Sequence, residues 1–157
     1  MVYVSAIDET MAGQLWRLHS ADLVRYASLL VGSADAPDIV SSAFMKASKR
    51  LGSDLALPRA YLFRAVTNEA HSLRRGRSRR WQRELRAIAN DSTGIPESQI
   101  DVRRAIADLS VQQRAVIFFI YWEDLTEVQT AQHMSVSLGT VRRHLTRARE
   151  HLRKALQ

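Results

Sequence analysis

Apolar residues recur along this chain at intervals of three and four, with no sustained alternation of period two, so the pattern predicts helices throughout. Leu15, Leu18, Leu23, Tyr26, Ala27 and Leu30 form the buried side of one long helix or two abutting ones, interrupted at Gly32 and Ser33. Val40, Ala43, Phe44, Ala47 and Leu51 line one face of the next helix. Asp35 is its expected N-cap, and Pro37 is tolerated in its first turn. After a Ser-Asp-Leu-Ala-Leu loop, Pro58 starts a third helix that buries Tyr61, Leu62, Ala65, Val66, Ala70 and Leu73. Its opposite stripe is polar: Arg64, Asn68, His71 and Arg75.

The pattern then lapses. Asn90-Asp91-Ser92-Thr93-Gly94-Ile95-Pro96 gathers turn and breaker residues, so a linker is placed at 87–97 between one helical unit at 8–86 and another at 98–157. The second unit restarts with a helix near Glu97 to Leu109. Ser110 with Gln113, and Thr126 with Gln129, have the spacing of capping boxes, each opening a further helix. Between them Ala115 to Trp122 is β-branched and aromatic enough to compete as a strand, but the cap favours a buried helix. A Ser-Val-Ser turn after Met134 leads into a last helix from about Leu138. The expected fold is therefore all-α, in two small helical domains.

Composition narrows the function. The chain has 157 residues, no cysteine and a net charge of +7, so disulfides and thiolate zinc sites are excluded. Its start carries Asp8 and Glu9 rather than a basic-then-apolar signal, and its longest apolar run, Val116 to Trp122, is far short of the roughly 18 residues that span a bilayer. A cytoplasmic protein without membrane insertion is expected. The charge is concentrated: seven arginines against Glu84 lie between Arg74 and Arg86, and five arginines and Lys154 against Glu150 lie between Arg142 and Lys154. Together these exceed the chain's total, so two basic patches sit on a mildly acidic body. Solvated helix faces would explain either patch alone; two such patches point to a polyanion held at two places.

The segment Thr126 to Arg149 has the layout of a helix-turn-helix. Ala131 allows close approach of its two helices, and Met134, Val136, Val141 and Leu145 would lock their angle. In the last helix Val141, Leu145, Ala148, Leu152 and Ala155 make a buried seam. Thr140, Arg142, Arg143, Thr146 and Arg147 are left outward near its start, where a recognition helix meets base edges in the major groove. Arginine there can pair bidentately with guanine. Arg149, Arg153 and Lys154, further along, suit phosphate contacts. Ser135 stands where such turns often carry glycine, so its backbone must avoid the left-handed region or strain into it.

From about Leu15 to Leu156 the chain resembles the extracytoplasmic-function sigma factors, the small two-domain class of bacterial sigma factors. Ser137 to Leu152 is similar to region 4.2, Leu109 to Val116 to the start of region 4.1, and Asp35 to Ala47 to region 2.2. Pro58 to Asn68, followed by Leu73-Arg-Arg, is similar to regions 2.3 and 2.4. The resemblance implies roles that periodicity cannot. Asp38, Ser41, Ser42, Met45, Lys46 and Lys49 would dock on the clamp helices of the polymerase β′ subunit. Arg64, Asn68, His71, Arg74 and Arg75, with the loop Gly52 to Leu57, would meet the opened −10 strand, where a flipped base needs a pocket and its backbone needs cations. Thr140, Arg142, Arg143, Thr146, Arg147 and Arg149 would contact the −35 element. The partners so implied are the polymerase core (through the β′ clamp helices and the β flap), promoter DNA and, as in many members, an anti-sigma factor. The family commonly has glutamine and glutamate where Ser41 and Ser42 stand, and an acidic residue at Pro37, so this docking face has lost hydrogen-bonding groups and charge.

Two other classes of function compete. A nuclease or recombinase needs clustered carboxylates for metal-assisted chemistry, but the acidic residues are scattered. His19, His71, His133, His144 and His151 form no zinc pattern, so neither enzyme activity, metal nor cofactor is expected. A sigma-like helix-turn-helix regulator that does not dock productively on polymerase is the alternative, favoured by Ser41 and Ser42 and disfavoured by the second basic helix.

Overall fold

The computed structural model describes residues 11–50, 58–73 and 97–157, and among them every regular element is helical. Helix α1 (Gly13–Val31) is one continuous helix; it stops at Gly32, whose φ of 94° suits a residue without a side chain. Leu15, Leu23, Tyr26, Ala27 and Leu30 are buried as expected, but Leu18 is 70% exposed. The helical period explains it, because Leu18, five residues before Leu23, sits roughly 140° round the helix from that buried side chain. In α2 (Ala36–Ser48) Pro37 occupies the first turn and Val40, Ala43 and Ala47 are buried. Asp35 occupies the N-cap position as expected, but in a helical conformation and without a side-chain cap bond. Helix α3 runs over residues 58–73, starting at Pro58. Leu51, the loop at 52–57, the basic run at 74–86 and the linker as far as Pro96 lie outside the described residues, and Glu97, expected in the linker, already begins the next helix.

The C-terminal half begins with α4 (Glu97–Ala107) and α5 (Val111–Ile117). The capping box forms as its spacing implies: Gln113 N–H donates to Ser110 Oγ at 3.2 Å, and Ser110 N–H to Gln113 Oε1 at 2.7 Å. The aromatic run that could have been a strand continues α5 as a π-turn, Phe118–Trp122, with Glu123 N–H bonded to Phe118 O. Phe118 and Phe119 turn inward, while Tyr121 and Trp122 stay exposed. Helices α6 (Glu127–Met134) and α7 (Leu138–Ala155) complete the chain.

The two halves share one core. Tyr26 of α1 and Phe63 of α3 pack against Phe118 and Phe119 of the π-turn, with ring centroids 4.8–6.1 Å apart. Each such side chain removed from water contributes about 1.5–3 kcal/mol, so this joint is substantial. The sequence pattern had placed neither Phe63 nor Thr67 in a core. Both are buried because α3 is covered on two flanks: Thr67 accepts from the Tyr26 hydroxyl at 2.8 Å and donates to Phe63 O at 3.0 Å. Burial pushes the Tyr26 phenol well above its usual pKa, so it stays a donor.

Arg114 is only 5% exposed and spans the joint. It donates to Leu30 O at the end of α1, at 2.5 Å, and to Ile106 O and Ala107 O at the end of α4, at 3.1 and 2.6 Å. A cation among the carbonyls at two helix C-termini complements both dipoles. A second, smaller core of Val116, Ala131, Val141 and Leu145, with Ile117, Ile120, Met134 and Val136 against it, holds α5, α6 and α7 together.

Candidate nucleic-acid interface

Helices α6 and α7 form the helix-turn-helix. Thr126 caps α6 through its box with Gln129, and Ser137 caps α7 by accepting Thr140 N–H at 3.1 Å. Between them Ser135 adopts φ 56°, ψ 45°, the left-handed conformation. Val136 N–H reaches Ala131 O and Ser135 N–H reaches Gln132 O, so the strained residue closes a Schellman turn. Val141, Leu145 and Ala148 are buried, while Leu152 is half-buried and Ala155 exposed, so the seam ends earlier than its spacing suggested.

Arg142, Arg143, Thr146, Arg147 and Arg149 are exposed on the opposite face; Thr140 is half-buried, its hydroxyl bonded to Ser137 Oγ. Two of the arginines are held. Arg142 Nε donates to Glu127 Oε2 of α6 at 2.9 Å, and Arg149 Nε donates to the Tyr121 hydroxyl at 2.8 Å, with its guanidinium over that ring. Arg143 and Arg147 make no hydrogen bond or ion pair among the described residues. Burial, then Arg143 and Arg147, lower the pKa of His144, so it adds no charge to this face near neutral pH. Glu127 and Tyr121 were missed from the sequence, since nothing in their spacing shows what they reach across to.

The α3 stripe faces the other half of the molecule. Arg64 Nη1 donates to His133 O at the end of α6, at 3.2 Å, and its guanidinium lies over Tyr61. His71 Nε2 lies 2.9 Å from Gln112 Nε2 of α5, which makes the imidazole the acceptor. Asn68 is exposed. Arg74 and Arg75 lie outside the described residues. Beside this stripe a cleft of about 650 Å³ opens between α2, α3 and the end of α6, lined among others by Lys46, Arg50, Arg64, Phe63 and His133. His133 lies between the rings of Phe63 and Phe119; burial first, then Arg59 and Arg64 against the opposing Glu123, push its pKa down to about 4. Arg59 pairs with Glu123 and also approaches Asp22, tying α1, α3 and the π-turn.

On α2, Asp38, Ser41, Met45, Lys46 and Lys49 are exposed. Ser42 is not outward: half-buried, it donates to Glu69 Oε1 of α3 at 2.9 Å. Lys46 Nζ binds both oxygens of that carboxylate, at 2.9 and 2.7 Å. These donors hold the Glu69 carboxyl below its usual range. Beside Met45, Phe44 packs edge-on against Trp16 with centroids 4.9 Å apart. Among the described residues no three histidines or carboxylates gather as a metal site, and no helix is long and apolar enough to cross a membrane.

Comparison with known proteins agrees with this geometry. Residues 99–152, spanning α4 to most of α7, match the family model described as "Sigma-70, region 4". The ECF RNA polymerase sigma factor SigM of Mycobacterium tuberculosis is 33% identical over 150 residues, covering 91% of this chain and 76% of that protein. SigL of the same organism is 29% identical over 168 residues, covering 98% and 93%. The sigma factor RpoE of Bartonella quintana, solved in complex with the anti-sigma factor NepR, superposes with a TM-score of 0.65 at 24% identity, covering 92% of this chain and 95% of that one, so it shares the fold. With a one-third identity that spans nine-tenths of the chain, and a helix-turn-helix matching region 4, this protein belongs to the family of ECF RNA polymerase sigma factors.

Proposed function

We propose that this protein directs bacterial RNA polymerase core to promoters, with α7 reading duplex DNA at −35 and the α3 stripe holding the opened strand at −10. The observation that carries this reading is the exposed arginine face of α7, backed by a buried seam and braced by a capped α6. Arginine at the start of such a helix reads base edges, while those further along neutralise phosphate. Two weakly binding halves on one chain gain from the effective concentration each confers on the other, so selectivity comes from requiring both elements together. The proposed docking surface is the exposed part of α2, Asp38, Ser41, Met45, Lys46 and Lys49, with Ser42 at its margin. The factor itself is read as non-catalytic and cytoplasmic.

In the described arrangement Arg64 and His71 bond to α6 and α5. The −10 strand can reach them only once the halves move apart, so this closed form is read as the state before promoter engagement. A second reading, a DNA-binding regulator that does not dock on polymerase, draws on the engagement of Ser42 and Lys46 by Glu69. Run-off transcription with purified core polymerase on a promoter library separates the two. Start sites that appear only with this protein support the sigma reading; DNA binding by the free chain without any directed start site supports the other.

A further inference from the structure

Among the exposed arginines at the start of α7, Arg142 alone is held by a carboxylate. Its partner Glu127 lies one residue after the N-cap of α6, a position where an acidic side chain complements the helix dipole. That favourable placement does not require the carboxylate to reach another helix. Here it does: Oε2 accepts from Arg142 Nε at 2.9 Å, fifteen residues on. No other hydrogen bond to Arg142 occurs among the described residues. A guanidinium can present two parallel N–H groups from its end, through both Nη atoms, or from its side, through Nε and one Nη. With Nε occupied, only the end remains for the O6 and N7 acceptors of guanine.

We propose that Glu127 is a positioning and specificity-determining residue that fixes Arg142 in the end-on orientation, making Arg142 the base-reading arm while the unheld Arg143 and Arg147 grip phosphate. The inference rests on reading α7 as the helix that enters the groove. Its physical basis is ordering before binding: a long side chain immobilised only on association costs affinity, and holding it beforehand recovers about 2- to 12-fold for the matching base. The carboxylate also brings a negative charge toward the DNA backbone. It therefore lowers overall affinity while raising discrimination, two effects of opposite sign that a merely structural residue would not produce.

The test uses holoenzyme assembled from the full chain and bacterial core polymerase, with a library randomised across the −35 element and initiated transcripts sequenced. Arg142→Ala should flatten guanine preference at one position by about 5- to 100-fold. Glu127→Ala should flatten the same position by about 2- to 12-fold while raising binding to mismatched sites. Glu127→Gln, which keeps an acceptor, should retain part of the preference. Glu127→Asp keeps the charge at the start of α6 but loses reach, so it should flatten the preference as Glu127→Ala does without raising binding to mismatched sites; a wild-type preference from it would reduce Glu127 to a dipole partner and overturn the proposal. Unchanged preference in Glu127→Ala, with Arg142→Ala flattened, also overturns it. Unchanged preference in Arg142→Ala removes the reading on which the proposal stands, and the proposal with it.

Discussion

Arg114 is a charged residue placed where a sequence reader would put a hydrophobe, and its three carbonyl partners explain why it stays there. Each bond joins a full charge to a carbonyl near a helix C-terminus, where Ile106 O also accepts from Leu109 N–H. Arg114→Met preserves the bulk and removes all three donors. It should destabilise the chain by about 3 kcal/mol and lower the melting temperature by about 6–12 °C, checked by calorimetry. Glu69 shows the same logic nearer the surface. It collects Ser42 and Lys46 into one cluster, and the two α2 side chains are thereby set before any partner arrives. Neither role was visible in sequence, because the groups that satisfy Arg114 and Glu69 lie many residues away.

At the scale of the element, the caps decide where helices begin and end. Ser110, Thr126 and Ser137 each accept the backbone N–H three residues on; the first two were legible as capping boxes, while Ser137 was read only as part of a turn. The turn between α6 and α7 is different. Ser135 takes the left-handed conformation, in which an L-residue's Cβ approaches the following carbonyl oxygen, so the turn carries strain on behalf of the α6–α7 angle. Ser135→Gly should relieve that strain and stabilise the protein by about 0.5–1 kcal/mol, seen as a rise of about 2 °C in melting temperature with base preference unchanged. The π-turn Phe118–Trp122 carries Phe118 and Phe119 inward to the core and leaves Tyr121 and Trp122 to solvent.

Across the whole molecule, the joint between the halves is where regulation by conditions would act. In the closed form His133 is held neutral, its pKa near 4, by burial between Phe63 and Phe119, by Arg59 and by Arg64, against Glu123. Separation returns it to water and toward 6.5. The open form therefore binds a proton that the closed form refuses, so closure is at full strength above about pH 6.5 and weakens as pH falls toward 4. The radius of gyration from small-angle scattering should grow over that window, and less so in His133→Phe. The second prediction concerns access. With no native cysteine, His71→Cys and Gln112→Cys can be joined by a short bis-maleimide. The linked protein should fail to open promoters with core polymerase, while the unlinked double variant initiates; initiation by the linked form would contradict the need for separation.

The order of the helices, two of their capping boxes, the helix-turn-helix and the basic outward face of its last helix could be read from the residues themselves. Those features rest on interactions within a few positions: periodicity, capping bonds and turn chemistry. What each face packs against could not be read that way. Leu18 belongs to an apolar pattern yet meets solvent, and Phe63 lies beside a polar stripe yet meets Phe118 and Phe119. Arg114 bonds a carbonyl 84 positions away, and Tyr26 a hydroxyl 41 positions away. A local pattern reports that a surface is apolar and leaves its partner open; only the crossing of α1, α3 and α5 in space selected which surfaces close on one another, and so turned two helical halves into one body.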